Sequence, residues 1–237
     1  PKLILVPLTA PTITFPLSLS PSSLQEITIL SLPESKVMPL FVVFEFKYVT
    51  AVNSGTSALH LALKISGVLP GDEVLLPSLT FAATANAIIY NQAKPIFFNV
   101  DEFLNIKFDD IESFLKEKTE FINGFTYNKN TKNKISAILP VHMYGNACNL
   151  NNLVNLLKNR NIKIIEDAAE SLGTKIIKGK YNLRHTGTIG EVGIFSFNAN
   201  KIITSGSGGM IVTNKKSIAN RAYLISNQAK KNEINYI

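Results

Sequence analysis

From Lys47 onward the apolar positions fall into short runs that switch between the strand period of two and the helical period of 3.6, with polar punctuation between them. The spacing predicts a helix through Leu59 to Ile65, the strand EVLLP ending at Pro77, and an Ala-rich helix from about Ala82 to Tyr90. It continues with the strand PIFFNV (95–100), the helix DDIESFLKEK (109–118), the strand ISAILPVH (135–142) and a helix around Leu150 to Lys158. Three further strands follow, IKIIED (162–167), VGIFSF (192–197) and MIVTN (210–214). Short β-rich runs separated by helices predict an α/β fold whose mostly parallel sheet is covered on both faces. Such sheets bind ligands beyond the carboxyl ends of their strands. No internal repeat or linker divides the region, so residues 46–237 read as one domain. Residues 1–45, rich in Pro and Ser with short apolar runs and no clear period, read as an irregular, divergent N-terminal segment.

Composition narrows the chemistry. Of the 237 residues, 46% are hydrophobic and 17% charged, which places the chain among globular proteins able to bury a full core. The net charge of +7 comes from lysines scattered through Asn-rich loops, without the clustering beside aromatic residues that a nucleic-acid interface requires. The expectation is therefore no nucleic-acid partner, with a basic surface that favours an anionic substrate. Cys148 is the only cysteine, and it shows no metal-ligand spacing with His60, His142 or His185. Neither a disulfide nor a metal is expected. Residues 3–25 carry no charge, except that Pro7, Pro11, Pro16 and Pro21 make them a poor membrane helix and a poor signal segment. The reading is a cytoplasmic protein with no membrane partner.

Three segments carry candidate chemistry. Asn53-Ser54-Gly55-Thr56-Ser57 precedes the first helix and puts backbone amides and hydroxyls at a helix N-terminus, a natural anion site. The same residues read equally as an ordinary N-cap. Glu166-Asp167-Ala168-Ala169-Glu170 closes an apolar strand at its carboxyl end, and Asp167 alternatively reads as a helix cap. Lys201 leaves the strand through Ser196-Phe197-Asn198-Ala199-Asn200 and enters the turn ending Gly206-Ser207-Gly208-Gly209. A lysine held there is desolvated enough for Schiff-base chemistry, or is a plain loop lysine. One cofactor demands all three together: pyridoxal 5'-phosphate needs a phosphate cup, a carboxylate at the pyridinium nitrogen and a lysine for its aldehyde.

AVNSGTSALHLAL (51–63), GDEVLLPSLTFAATANAI (71–88), PVHMYGNACN (140–149), IIEDAAESLGT (164–174) and GTIGEVGIFSFNANKIITSGSGGMIVTN (187–214) resemble the DegT/DnrJ/StrS sugar aminotransferases. The likeness is to enzymes acting on UDP-4-keto-6-deoxysugars and covers about Lys47 to Lys230. It implies the three-layer α/β/α large domain of pyridoxal-phosphate fold type I. It further implies Lys201 as the Schiff-base lysine and proton carrier, Asp167 at the pyridinium nitrogen, and Thr56, Ser57 and Ser196 at the phosphate. Phe81 would stack on one ring face, or else be a core aromatic, and Glu170 would lie near the ring's 3-oxygen. Family members that carry histidine in place of the lysine perform dehydration, so Lys201 argues for amino transfer. The implied partners are L-glutamate, a nucleotide-linked keto-deoxysugar and a second subunit in a homodimer with a shared site, the product serving lipopolysaccharide, glycan or antibiotic assembly.

Two departures from the family accompany the likeness. Residues 1–45 lack the usual Gly-rich entry and amphipathic helix, and the smaller C-terminal domain of the family is expected to be absent here. An alternative reading is a non-catalytic fragment or pseudoenzyme of the same fold. A nucleotide-binding Rossmann protein is disfavoured, because Gly206 to Gly209 precede a strand where that motif opens a helix.

Overall fold

The computed structural model describes residues 46–229 and three short strands before them, β1 (Leu3–Leu5), β2 (Thr28–Leu30) and β3 (Val42–Val43). These three pair as a small sheet of their own, β1 parallel and β3 antiparallel to β2. The remainder of the N-terminal segment, and the last eight residues of the expected domain, lie outside the described residues.

The main sheet begins at β4 (Tyr48–Val52), which leads into α1 (Gly55–Ile65). Ser54 caps α1 by accepting the Ser57 amide. The helix ends in a Schellman turn, where Gly67 at φ +85° lets the Val68 and Gly67 amides reach the carbonyls of Leu63 and Lys64. Then come β5 (Glu73–Pro77), α2 (Ala82–Tyr90), β6 (Lys94–Phe98), α3 (Phe108–Glu117), β7 (Thr119–Ile122), β8 (Phe125–Asn128) and β9 (Lys134–Ile138). The chain continues through α4 (Leu150–Leu157), β10 (Lys163–Asp167), β11 (Val192–Ser196), β12 (Gly209–Thr213) and α5 (Lys216–Ser226).

The main path of this nine-stranded sheet runs β4-β12-β11-β10-β9-β5-β6, with β8 joining β9 and β7 joining β8. It is parallel from β11 to β6, while β12 runs antiparallel to both β11 and β4. Helices cover both faces. Ala58, Leu63, Ile88 and Ile218 of α1, α2 and α5 pack on Val74, Leu76 and Ile165. Ile111, Leu115, Leu150 and Leu153 of α3 and α4 pack on Leu75, Ile138 and Ile164 from the opposite side. The expected three-layer α/β/α architecture is thus present, and nearly every strand face is apolar because both are covered.

The predicted elements between Leu59 and Asn214 all form, with shorter strands in places. The strand expected over 95–100 is β6, which begins at Lys94 and ends at Phe98; Val100 then makes only an isolated bridge to Ile106. The strand expected to reach His142 ends at Ile138, because Pro140 brings no amide to continue the ladder. Beyond the N-terminal strands, β4, the hairpin strands β7 and β8, and α5 were not predicted. Among the described residues no helix is long and apolar enough to cross a membrane.

Candidate active site

Asp167 ends β10 at the middle of the sheet and is 4% exposed. Strand alternation points it to the α1/α2 face, the side of Ile165, where the Thr84 hydroxyl of α2 donates to its Oδ2 at 2.7 Å. Thr80 in turn donates to Thr84 at 2.8 Å, and the Ala169 amide donates to Oδ1 at 3.2 Å. Burial pushes the Asp167 carboxyl above the ordinary carboxylate range, against the opposing pulls of Thr84, Ala169 and the nearby Lys201 charge. A buried carboxylate held this way favours a cationic partner.

Lys201 sits in the loop between β11 and β12. Its side chain is 12% exposed, and its ammonium donates to Glu170 Oε1 at 3.0 Å. Glu170 follows Asp167 by one turn of chain, and its other oxygen accepts the Tyr144 amide at 3.1 Å. The Lys201 ammonium also lies 5.9 Å from the centroid of the Phe81 ring. Phe81 precedes α2 in an extended conformation and is 70% exposed, so it is not a core aromatic. Its ring stands at the mouth of the site.

The cup forms where α1 meets β11 and β12. Ser57 gives its amide to Ser54 at 3.1 Å and its hydroxyl lies 3.0 Å from the Ser54 hydroxyl, so the capping reading of this motif holds. The cap leaves room for an anion, because the amides of Gly55 and Thr56 in the first turn have no intrahelical acceptor. Gly55 packs directly on Ser196: a Cβ there would lie 2.8 Å from the Ser196 Cβ and 3.0 Å from its Oγ. Ser54 bridges Gly208, and a Cβ on Gly209 would collide with the Ser54 carbonyl. The absent side chains let three backbone segments meet at one point.

Glu166, beside Asp167 in the acidic run, faces away from the site. It lies on the other sheet face, fully buried, and accepts the amides of Gly187 and Ile189 at 2.7 Å each, together with that of Gly190. Its fourth donor is His142 Nε2 at 2.9 Å. Burial opposes a second proton on that ring. The Glu166 carboxylate favours one and raises the ring's pKa, while Nδ1 accepts the Cys148 amide at 3.1 Å, which puts the proton that faces Glu166 on Nε2. The single Cys148 thiol proton faces two acceptors, Asn105 Oδ1 at 3.2 Å and the Val141 carbonyl at 3.1 Å. This network closes the back of the site. Thr84, the direct partner of Asp167, was not singled out in the sequence; the available signal was a threonine inside the apolar stripe of an Ala-rich helix. Among the described residues no cluster of three His, Cys, Asp or Glu side chains is arranged to hold a metal ion.

The family model described as the DegT/DnrJ/EryC1/StrS aminotransferase family matches residues 41–236. The chain belongs to this family. Among curated relatives, GDP-perosamine synthase of Escherichia coli O157:H7 is 44% identical over 176 residues, 74% of this chain and 43% of that enzyme. Among solved structures, a DegT DnrJ EryC1 StrS aminotransferase from Brucella abortus superposes with a TM-score of 0.71 at 29% identity, covering 81% of this chain and 48% of that one. A GDP-4-keto-6-deoxymannose-3-dehydratase with a trapped PLP-glutamate geminal diamine matches with a TM-score of 0.67 at 25% identity, over 81% of this chain and 46% of that one. The chain spans a little under half the length of the relatives it matches. Pyridoxal phosphate is the cofactor of the family. The donor set present fits that group, with first-turn amides of α1 that have no intrahelical acceptor, a buried carboxylate raised by its surroundings and a largely buried lysine.

Proposed function

We propose that residues 46–237 form the cofactor-binding large domain of an aminotransferase that moves the amino group of L-glutamate onto a nucleotide-linked keto-deoxysugar, working as a homodimer with a shared site. The observation that carries this reading is the convergence of Lys201, Glu170 and Asp167 beside the α1 cup at the carboxyl end of β10. Bound pyridoxal phosphate supplies an electron sink for the carbon whose proton moves. Asp167, kept from water and steadied by Thr84, holds a proton on the ring nitrogen opposite it. The Gly55 and Thr56 amides, with the hydroxyls of Thr56, Ser57 and Ser196, hold the phosphate. Phe81 covers one ring face and excludes water from it. Glu170 would orient the Lys201 amine, whose Nζ would carry the proton of the donor's α-carbon to the cofactor and, in the second half-reaction, from the cofactor to the sugar carbon that gains the nitrogen.

Lysine at position 201 supports amino transfer over the dehydration performed by the histidine-bearing branch. Full-length protein incubated with cofactor should become yellow, and glutamate should shift its visible band. A panel of keto-sugar nucleotides should then yield amino sugars detectable by mass spectrometry. A Lys201→Ala variant that kept the band and the product would overturn the assignment.

A further inference from the structure

The loop that carries Lys201 leaves β11 at Ser196 and returns to β12 at Gly209. Its neck is closed by backbone bonds from the Phe197 amide to the Gly208 carbonyl at 2.9 Å and from the Ser205 amide to the Phe197 carbonyl at 3.0 Å. The Thr204 hydroxyl adds a third bond to the Phe197 carbonyl at 3.1 Å. At this neck the exposed Ser207 donates its hydroxyl to the Asn53 carbonyl at 2.8 Å, across a sequence separation of 154 residues. Asn53 is the last residue before the Ser54 cap, and the orientation of its peptide sets where the first amides of α1 point. Ser205 supports the latch by donating to the Ser207 carbonyl.

We propose that Ser207 is a positioning residue for the anion cup, fixing the turn that precedes α1 to the neck of the lysine loop. The inference rests on the cofactor reading above and extends it to a residue that touches neither cofactor nor substrate. Asn53 is itself exposed, so without the Ser207 hydroxyl its carbonyl is held only through its neighbours Val52 and Ser54, which pair with Gly209 and Gly208, and the cup amides lose part of their aim. The Lys201 side of the loop keeps its own closures at Phe197. Loss of Ser207 therefore acts on the phosphate and spares the aldehyde end.

The test compares pyridoxal phosphate with pyridoxal, which lacks the phosphate, by fluorescence titration of the full-length protein. In Ser207→Ala the affinity for pyridoxal phosphate should fall roughly fivefold, the equivalent of one net hydrogen bond. Pyridoxal affinity should not change, and Ser207→Thr should restore the phosphate-dependent part. Equal losses for both ligands, or no loss for either, overturn the proposal. Parent protein that binds the two ligands equally well overturns the cup reading itself, a separate failure that the parent titration reveals before any variant is made.

Discussion

At the scale of single residues, the site depends on groups whose behaviour in water is changed by burial. Asp167 shows this most directly. Its carboxyl is raised by burial, so as pH climbs from the ordinary carboxylate range through the raised value, the unfolded chain loses its proton first and the folded state loses stability. Above the raised value the whole penalty is present. Asp167→Asn removes it while keeping an oxygen for Thr84. The cofactor-free variant should match or exceed the parent's stability at high pH in urea denaturation and show a flatter pH profile, while its retention of cofactor falls. Lys201→Ala should lose covalent cofactor attachment, seen by borohydride reduction and mass spectrometry, and activity should drop on the order of 10³-fold or more. Gly55→Ala drives a methyl group into Ser196. Such overpacking should weaken pyridoxal-phosphate binding by about tenfold, ~1.4 kcal/mol, measured by titration.

Lys201, Asp167 and the Ser54 to Ser57 motif were legible in the sequence because one cofactor requires all three. The side that each acidic residue faces was legible in principle too. Period-two alternation puts Glu166 and Asp167 on opposite faces, so only one can reach the site. Thr84 was hidden because its partner comes from a strand 83 residues away, a tertiary fact that no local pattern carries.

At the scale of elements, strands and helices with strong apolar patterns were readable almost to the residue. EVLLP and the helix from Ala82 to Tyr90 match β5 and α2 at both ends. The hairpin β7-β8 escaped because its strands sit on the periphery and alternate weakly, yet its turn was written plainly. Asn123 and Gly124 both adopt positive φ, at 50° and 84°, and Ile122 pairs with Phe125 across a two-residue loop. Helix α5 escaped because only Ile218 and Ala222 are buried, too few to print a stripe. The segment 187–190 depends on Glu166, whose carboxylate answers three backbone amides. Glu166→Gln sets an amide donor against those donors and should cost about 2–4 kcal/mol in urea denaturation.

At the scale of the whole molecule, the net charge of +7 acts at long range on anionic ligands. Screening shortens from about 30 Å at 0.01 M salt to about 3 Å at 1 M. The association rate of pyridoxal phosphate, followed by stopped-flow absorbance, should therefore fall several-fold across that range, while dissociation changes less.

The pairing of β4 with β12 has a consequence for how the molecule is made. Residues 48–52 meet residues 209–213, so this edge of the sheet closes only after nearly the whole domain has been synthesised, and such distant contacts form late. The cup lies on that seam, with α1 issuing from one strand and Gly208 and Gly209 leading into the other. An incomplete or misregistered chain has no cup to offer. On the proposed cofactor reading, capture of pyridoxal phosphate selects the correct topology and, by binding only the closed form, would hold the seam shut afterwards.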